Sequence, residues 1–409
     1  MMEDLNTNNK ISESLVIKNL GPLTDIVMAD IRPVMVLLGK TGSGKSLILK
    51  VLAMMRHVCK RQLIRRTLKE SGVKKTSFKI RKDSYLKFAD IDVLVNGKTL
   101  IVYKLSCTTG VACKVTFNKS GFDVIFNESR ARWDAGPFMK IAFISDTRNL
   151  LASWARKGAS IQSKVLDNYF AETYDLWDEA IVAKMSSLQT IDYLGSRLAI
   201  MKGESGRREI SIVSSNGQKT LFERGASGEK ASIPVAIILR YLVKSFDFED
   251  AMKRSFASDF LEAILEKNHE QMTLSPLREN IVSFERFYMC IHIEEPELSL
   301  DPLTQLHFAD DVMKTMESMG DLQRKVDASL VFTTHSPYWV TALNTIAEER
   351  KYTFLTWNRL CGYLVKDDGM VSSLRDEDAH LLMTPNLDRA SIELDERYNA
   401  ALDKEGVAI

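Results

Sequence analysis

The glycine-rich stretch GKTGSGKS at residues 39–46 has the composition and spacing of a phosphate-binding site. It fits the pattern G-x-x-x-x-G-K-[ST] in full, between an apolar run, PVMVLLG at 33–39, and a segment of helical periodicity. Glycines let the backbone curl so that successive N–H groups face an anion, and the helix N-terminus adds a partial positive charge. We therefore expect a nucleoside triphosphate, with Lys45 on its β- and γ-phosphates and Ser46 on Mg²⁺; an accidental glycine turn is the alternative. The residues expected to contact the nucleotide here are Gly39, Lys40, Thr41, Gly42, Ser43, Gly44, Lys45, Ser46 and Leu47.

Two adjacent carboxylates, Glu294 and Glu295, end a second apolar run, MCIHI at 289–293. At about 4 Å and an effective dielectric near 20, like charges repel by roughly 4 kcal/mol, so a cation must face them or one must stay protonated. Beside a phosphate-binding loop, a metal ion and Lys45 would supply that positive charge. We expect Glu294 to hold Mg²⁺ through water and Glu295 to act as the general base on the attacking water. Without such a loop, EEPE at 294–297 would be an ordinary acidic strand end.

Three further short stretches suit the same chemistry. ASGEK at 226–230 opens an apolar helix with Ser227 and Gly228, whose hydroxyl and N–H suit a γ-phosphate, although simple helix capping explains them equally well. SLDP at 299–302 contains Asp301, and TTHSP at 333–337 places His335 after another apolar strand. A lone histidine is more often structural, but here it would stand next to the γ-phosphate.

Taken in order, these five stretches resemble the motif series of ABC-type ATPases of the SMC/RecF-like class. ASGEK is similar to the signature usually written LSGGQ: Ser227 and Gly228 match it, and the other three residues depart from it. The form EEPELSLDPLTQLHF particularly resembles the stand-alone ATPases of prokaryotic anti-phage systems, namely OLD-type proteins, Septu, retron-associated ATPases and PARIS, with a slight preference for PARIS. The resemblance covers residues 14–46 and 210–345.

This resemblance implies an α/β fold, an ABC-ATPase head with a P-loop core sheet, an antiparallel β lobe and helical insertions. It also implies ATP and Mg²⁺ as cofactors and hydrolysis of ATP to ADP and phosphate. The residues that it assigns to catalysis are Lys45, Glu295 and His335; those assigned to the metal are Ser46 and Glu294; those assigned to the nucleotide beyond the glycine loop are Ser227, Gly228 and Asp301.

The resemblance also has consequences for assembly and biological role. In such proteins the signature contacts nucleotide bound to a neighbouring copy, so ATP would join the protomers of a homo-oligomer by mass action. The favoured interpretation is an ATPase that senses invasion and controls a separate effector, a nuclease or toxin, because the residues after His335 show no DxD-type acid cluster on an apolar strand. The alternatives are an SMC/RecF-like DNA-repair ATPase that clamps DNA and a scaffold that binds ATP without hydrolysis.

Two features depart from the family pattern. A Q-loop glutamine cannot be placed between residues 84 and 148. The separation of Ser227 from Glu295 is long, which predicts a helical insertion at 247–285. That insertion is a candidate partner-binding surface, with a packing role as the alternative.

Hydrophobic periodicity predicts the elements that position these motifs. Strands are expected within 14–28, 33–39, 84–106, 111–126, 140–148, 210–222, 329–335 and 352–374, with hairpin turns at NGK and KSG, and helices over 45–68, most of 157–201, 228–246, 247–285, 302–319 and 376–405. The predicted division is 1–13 flexible tail, 14–150 P-loop and antiparallel β lobe, 151–209 helical subdomain, 210–246 signature hairpin and helix, 247–285 helical insertion, 286–375 core with the acid pair and His335, and 376–409 acidic tail.

Composition sets the remaining limits. The chain of 409 residues is 45% hydrophobic with net charge +1, and its five cysteines lack metal-ligand spacing, so we expect a globular protein of the cytoplasm without a signal peptide or membrane partner. Residues 56–87 hold twelve Lys and Arg against two acids. This basic run could bind DNA or a DNA-mimicking phage protein, and neutralising Arg65, Arg66, Lys74 and Lys75 would test this. The alternatives are a solvated helix end and a patch that pairs with the acidic tail of another subunit.

Overall fold

The computed structural model describes residues 11–70, 80–107, 110–126, 137–154, 168–183, 187–202, 208–265, 286–322, 326–384 and 393–400. Its strands are β1 (Ser12–Leu20), β2 (Leu23–Ile31), β3 (Val34–Gly39), β4 (Val95–Cys107), β5 (Gly110–Asn118), β6 (Gly121–Phe126), β7 (Phe138–Ile144), β8 (Ser187–Ile191), β9 (Ser196–Lys202), β10 (Arg208–Val213), β11 (Lys219–Leu221), β12 (Phe287–Glu294), β13 (Val326–Thr334), β14 (Leu360–Val365), β15 (Val371–Ser373), β16 (Arg375–Asp376) and β17 (Leu381–Leu382). Its helices are α1 (Lys45–Glu70), α2 (Lys82–Phe88), α3 (Leu151–Trp154), α4 (Asn168–Ala183), α5 (Ser227–Lys244), α6 (Phe248–Leu265), α7 (Pro302–Leu322) and α8 (Pro337–Glu348), and residues 393–400 are helical as well.

A six-stranded sheet in the order β15–β14–β3–β13–β12–β7 forms the centre of the fold. Five of these strands are parallel, and β15 pairs antiparallel with β14 at one edge. All eight residues of β12 are buried, as a parallel strand covered on both faces requires. Because side chains alternate along a strand, Met289, Ile291 and Ile293 face one apolar core while Tyr288 and Cys290 face the other.

The parallel arrangement brings three distant chain segments to one edge of this sheet. Gly39, Glu294 and Thr334 are the last residues of β3, β12 and β13. Since β13 lies between the other two strands, the glycine loop and the acid pair flank the segment that leads to His335. The site described below is built at this edge.

Two layers of elements cover the faces of the core sheet. On one side, α1 shares an apolar core with the five-stranded antiparallel sheet β2–β1–β4–β5–β6. On the other side, α4, α5, α7 and α8 share the second core, together with the antiparallel sheet β11–β10–β9–β8. Helix α5, which begins with Ser227, is thereby packed on the face opposite to α1.

These observations confirm the predicted α/β class, with its core sheet and its antiparallel β lobe. The strands expected within 14–28 and 33–39 are β1, β2 and β3, and the hairpin expected at 210–222 is formed by β10 and β11. Within the described ranges, no helix combines the length and apolar character needed to cross a lipid bilayer.

Several local expectations are wrong. Residues 376–384, expected as the start of a helix, contain the end of β16, a turn and β17. Residues 84–94, expected as strand, form α2 and a 3₁₀ turn, and the NGK turn at 96–98 lies inside β4. The side chain of Asn96 does accept a hydrogen bond from Lys98 N at 2.9 Å. That local turn, however, falls next to an irregularity in the pairing of β4 with β1 and does not make a hairpin.

The segment 157–201 was expected to be mainly helical, but its described part is helical only in α4. Residues 187–202 form the hairpin β8–β9. Gly195 permits this reversal because it adopts a left-handed conformation, with φ of 58°. The interval 151–209, expected as a helical subdomain, is therefore mixed in secondary structure; the division into subdomains stays a prediction.

Candidate nucleotide-binding site

The glycine loop leaves β3 and opens α1, and its shape depends on residues without side chains. Gly42 and Gly44 have φ of 79° and 100°, which L-residues with a Cβ rarely adopt. A Cβ on Gly44 would lie 2.7 Å from Leu23 Cδ2, and one on Gly39 would lie 2.6 Å from Val365 O. The loop is therefore a tight backbone cradle at the N-terminus of a long helix, a geometry that fits a polyphosphate.

Lys45, the first residue of α1, points back into this cradle. Its Nζ donates to Gly39 O at 2.9 Å and to Lys40 O at 2.8 Å, and it lies 3.3 Å from His335 Nδ1. Burial lowers the pKa of Lys45 to about 8, although Glu295 and Glu297 act in the opposite direction. At neutral pH the ammonium group is still mostly charged.

Glu294 ends β12 in a buried position, with only 4% of its surface exposed. Its Oε2 accepts a hydrogen bond from Asp146 N at 3.3 Å, and the Ser46 hydroxyl donates to the same carboxyl group. Burial, reinforced by the neighbouring charge of Asp146, raises the pKa of Glu294 to about 7. Near neutral pH, Glu294 is therefore only partly ionised.

The donor atoms around Glu294 fit a hard divalent cation. The Ser46 hydroxyl and the carboxylates of Glu294 and Asp146 are oxygen ligands of the kind that Mg²⁺ prefers. Among the described residues, no three His, Cys, Asp or Glu side chains are grouped as a metal cage. A magnesium ion at this position would therefore need phosphate oxygens as well, as Mg²⁺ in nucleotide sites commonly does.

Glu295 lies at the turn directly after β12 and is linked to His335. Its Oε1 is 2.9 Å from His335 Nε2. Its backbone is left-handed, with φ of 43°, a conformation that costs a non-glycine residue about 1 kcal/mol or more. Glu295 N donates to Thr333 O at 3.0 Å, which helps to hold this conformation.

Glu297 belongs to the site and was not singled out from the sequence. Its Oε1 accepts from Thr334 Oγ1 at 2.6 Å and from His335 N at 2.9 Å, and burial raises its pKa. The carboxyl group thereby fixes the backbone on which His335 stands. Its position as the third acid of EEPE is the one feature of the sequence that could have indicated this role, but nothing in the neighbouring residues distinguishes it from a surface glutamate.

Ser227, Gly228 and Asp301 lie at the starts of α5 and α7. Ser227 is the exposed first residue of α5, and a Cβ on Gly228 would lie 2.7 Å from Ser299 O, so the signature packs against the segment that precedes α7. Asp301 caps α7: its Oδ1 accepts from the N–H groups of Leu303 and Thr304 at 3.1 Å. In the described part of the chain, no hydrogen bond or ion pair joins the signature to residues 39–47.

The described part of the basic run does not form one continuous charged surface. Arg56 is fully buried and pairs with Glu13, Arg61 Nε donates to Asp259 Oδ1 at 3.0 Å, and Arg65 is buried. Lys74 and Lys75 lie outside the described residues. Within the described part of this run, the exposed cations are Lys69, Arg81, Lys82 and Lys87.

The structure thus brings together the glycine loop, the acid pair and His335, and it adds Asp146 to this group. Asp146 follows β7 and lies inside the interval 84–148, in which no Q-loop glutamine can be placed from the sequence. A parallel sheet with a glycine loop after one strand and an acid pair after another defines the chain as an α/β protein with a P-loop core.

Comparisons with known proteins add little to this description. No protein-family model matches the chain, and no curated protein matches it. The Smc head domain of Pyrococcus furiosus with an extended coiled coil, bound to the C-terminal domain of ScpA, is 11% identical over 95% of this chain and 100% of that chain, with a TM-score of 0.39. The SMC head domain from Thermotoga maritima is 12% identical over 90% of this chain and 99% of that chain, with a TM-score of 0.35. The recombination mediator protein RecF with ATP, of the RecFOR pathway, is 13% identical over 90% of this chain and 98% of that chain, with a TM-score of 0.29. At such low identities and TM-scores, the site assignment depends only on this chain's own contacts.

Proposed function

We propose that this chain is a Mg²⁺-dependent ATPase whose phosphate-binding lysine and general base are joined through one histidine. A single observation carries the proposal: His335 lies 3.3 Å from Lys45 Nζ through Nδ1 and 2.9 Å from Glu295 Oε1 through Nε2. The ring thereby connects the residue that would bind the γ-phosphate to the residue that would activate water. A purely structural glycine turn would not require this connection.

Each residue of the site has a defined task in this proposal. Lys45 binds the β- and γ-phosphates, and Ser46 and Glu294 hold Mg²⁺, which neutralises phosphate charge when it is bound. Glu295 accepts the proton of the attacking water, and His335 orients the Glu295 carboxylate. Glu294 is buried at the strand end, whereas Glu295 is only partly buried. Since a general base must be ionised to accept this proton, this difference favours Glu295 as the base and Glu294 as the metal ligand.

The active assembly would contain two copies, with Ser227 and Gly228 of one copy completing the site of the other. Two features support this arrangement. Ser227 is exposed at the start of α5, and large apolar side chains are exposed at the starts of α7 and α8, namely Leu303, Leu306 and Tyr338. Apolar side chains at such positions are suited to burial against a partner.

The biological output proposed for this switch is control of a separate effector, a nuclease or toxin, in anti-phage defence. A DNA-repair ATPase that clamps DNA is the second candidate, favoured by the exposed cations Lys69, Arg81, Lys82 and Lys87. Turnover stimulated by DNA would favour the clamp, whereas a co-purifying nuclease or toxin encoded by a neighbouring gene would favour defence.

Phosphate release from Mg²⁺-ATP by the purified full-length chain tests the ATPase directly. Lys45→Ala should abolish turnover and weaken binding of a fluorescent ATP analogue, since it removes the cation in the cradle. Lys18→Ala, at a partly exposed lysine of β1 that pairs with Asp25, is the matched control and should leave both unchanged. Absence of turnover in the unmodified protein with bound ATP would make the chain a nucleotide-gated scaffold instead.

A further inference from the structure

Arg148 is fully buried in the 3₁₀ turn after β7, and its guanidinium binds main-chain carbonyls from three parts of the chain. Its Nε donates to Ala231 O at 2.6 Å, in α5. Its Nη1 donates to Ser145 O at 3.0 Å and to Glu294 O at 2.6 Å, and its Nη2 donates to Glu295 O at 2.6 Å. One side chain therefore links α5, which begins with Ser227 and Gly228, to the backbone of Glu294 and Glu295.

The bonding of this guanidinium is unusual for a buried arginine. In the described part of the chain, its hydrogen bonds go to carbonyl oxygens, and it makes no ion pair with a carboxylate. Burial lowers the pKa of Arg148 to about 10. The nearby carboxylates, Glu297 above all, act in the opposite direction, but none of them binds the guanidinium directly. A buried cation without a direct carboxylate partner is an expensive way to stabilise a fold, because apolar side chains fill such space at lower cost. A role beyond stability therefore accounts for this arginine better.

The carbonyls that Arg148 holds are those whose positions matter for the site. Glu295 has its left-handed φ of 43°, and its backbone is fixed on one side by Thr333 and on the other by Arg148. In α5, Pro234 has no N–H to donate to Lys230 O, so the helical hydrogen bonding is interrupted next to the Ala231 carbonyl that Arg148 binds. The link thus joins a strained residue to an interrupted turn of helix.

We infer that Arg148 is a positioning residue that fixes the backbone of Glu295 relative to α5, so that contact of the signature with a neighbouring copy is transmitted to the general base. This inference rests on the proposed function, and it adds a regulatory route to it. Ser227 and Gly228 stand at the start of α5, and Ala231 follows one turn later. A shift of α5 upon assembly would therefore reach Glu295 O through a single side chain.

Arg148→Lys tests this inference while keeping the charge. An ammonium group has three donors, so it cannot reproduce the four carbonyl bonds or their planar spacing. We expect kcat to fall by about 10- to 100-fold, as small displacements of catalytic groups do, with binding of a fluorescent ATP analogue changed less than about 3-fold. Arg56→Lys is the control: it alters another fully buried arginine, bound to Glu13 and His292, that does not touch Glu295.

A double-mutant cycle separates positioning from general stability. If Arg148 acts through Glu295, then Arg148→Lys should cause no further loss of turnover in a Glu295→Gln background. Full additivity of the two losses, an equal kcat defect in Arg56→Lys, or normal kcat in folded Arg148→Lys would overturn the inference while leaving the ATPase intact. Failure of Arg148→Lys to fold would overturn it too, because the guanidinium would then be needed for the fold. Absence of turnover in the unmodified chain would instead refute the proposed function.

Discussion

Glu294 gives the sharpest quantitative prediction, because its burial has a measurable consequence for stability. Its pKa rises from 4.5 to about 7 in the folded chain, through burial first and the charge of Asp146 second. The folded state therefore holds this proton more tightly than the unfolded chain does. The resulting stability is complete below pH 4.5 and is lost as the pH rises through 7. At about 1.4 kcal/mol per pKa unit, keeping Glu294 ionised at pH 8 costs the fold roughly 3 kcal/mol.

Glu294→Gln replaces the carboxyl group by a neutral isostere and should remove this cost. In buffer with EDTA and without nucleotide, we expect the variant to melt on the order of 3 °C above the unmodified protein at pH 8. At pH 5 the difference should shrink to less than about 1 kcal/mol, since Glu294 is then protonated in the folded state. Differential scanning calorimetry or fluorimetry at the two pH values measures both quantities.

Glu249→Gln, at an exposed carboxylate in the first turn of α6, is the matched control and should change stability by less than about 0.5 kcal/mol at either pH. With Mg²⁺-ATP added, the unmodified protein should melt at a higher temperature than Glu294→Gln, because the metal would favour the ionised carboxylate of Glu294. A variant that melts with or below the unmodified protein at pH 8, with no dependence on pH, would refute the assignment of Glu294 as a buried carboxylate that binds the metal.

Three further predictions concern turnover, assembly and nucleic acid. Glu295→Gln should lower kcat by at least about 100-fold and, in light scattering, accumulate an ATP-bound oligomer; unchanged turnover would exclude Glu295 as the base. Gly228→Val places a Cβ 2.7 Å from Ser299 O, so the signature must shift, and sedimentation should show ATP-dependent assembly weakened at least about 10-fold with ATP binding retained; unimpaired assembly would remove the signature from the interface. DNA affinity, if present, should fall steeply with salt and be lost upon neutralising the exposed cations; binding that is independent of salt would point away from phosphates. These cations are Lys69, Arg81, Lys82 and Lys87.

The sequence was sufficient wherever local pattern and tertiary context agree. The apolar runs before Gly39 and Glu294 are strands buried on both faces, and such strands have a continuous apolar signature. The glycine loop was predictable because its conformation demands glycine at fixed spacing. Parallel pairing then accounts for the meeting of these strand ends, since the connections between them are long.

The remainder depends on contacts between residues far apart in the chain. The role of Arg148, at the end of KIAFISDTR, cannot be predicted from the sequence because its partners Glu294 and Glu295 are about 150 positions away. Glu297 gains its role from Thr334 and His335, which belong to another strand. The hairpin at 187–202 was missed because its short strands contain a mixture of polar and apolar residues, and tertiary packing overrides such weak local preferences.

The central claim is that ATP is held between Lys45 of one copy and Ser227 of another, and subunit mixing tests it most directly. Lys45→Ala and Ser227→Arg should each be inactive when purified alone, for loss of the cradle and of the signature respectively. In a mixed dimer, one of the two sites combines an intact glycine loop with an intact signature. We predict that mixing the two inactive variants restores ATP hydrolysis, approaching half of the unmodified rate in each mixed dimer. Mixtures that form dimers and remain inactive would contradict the claim that the signature acts on the neighbouring copy.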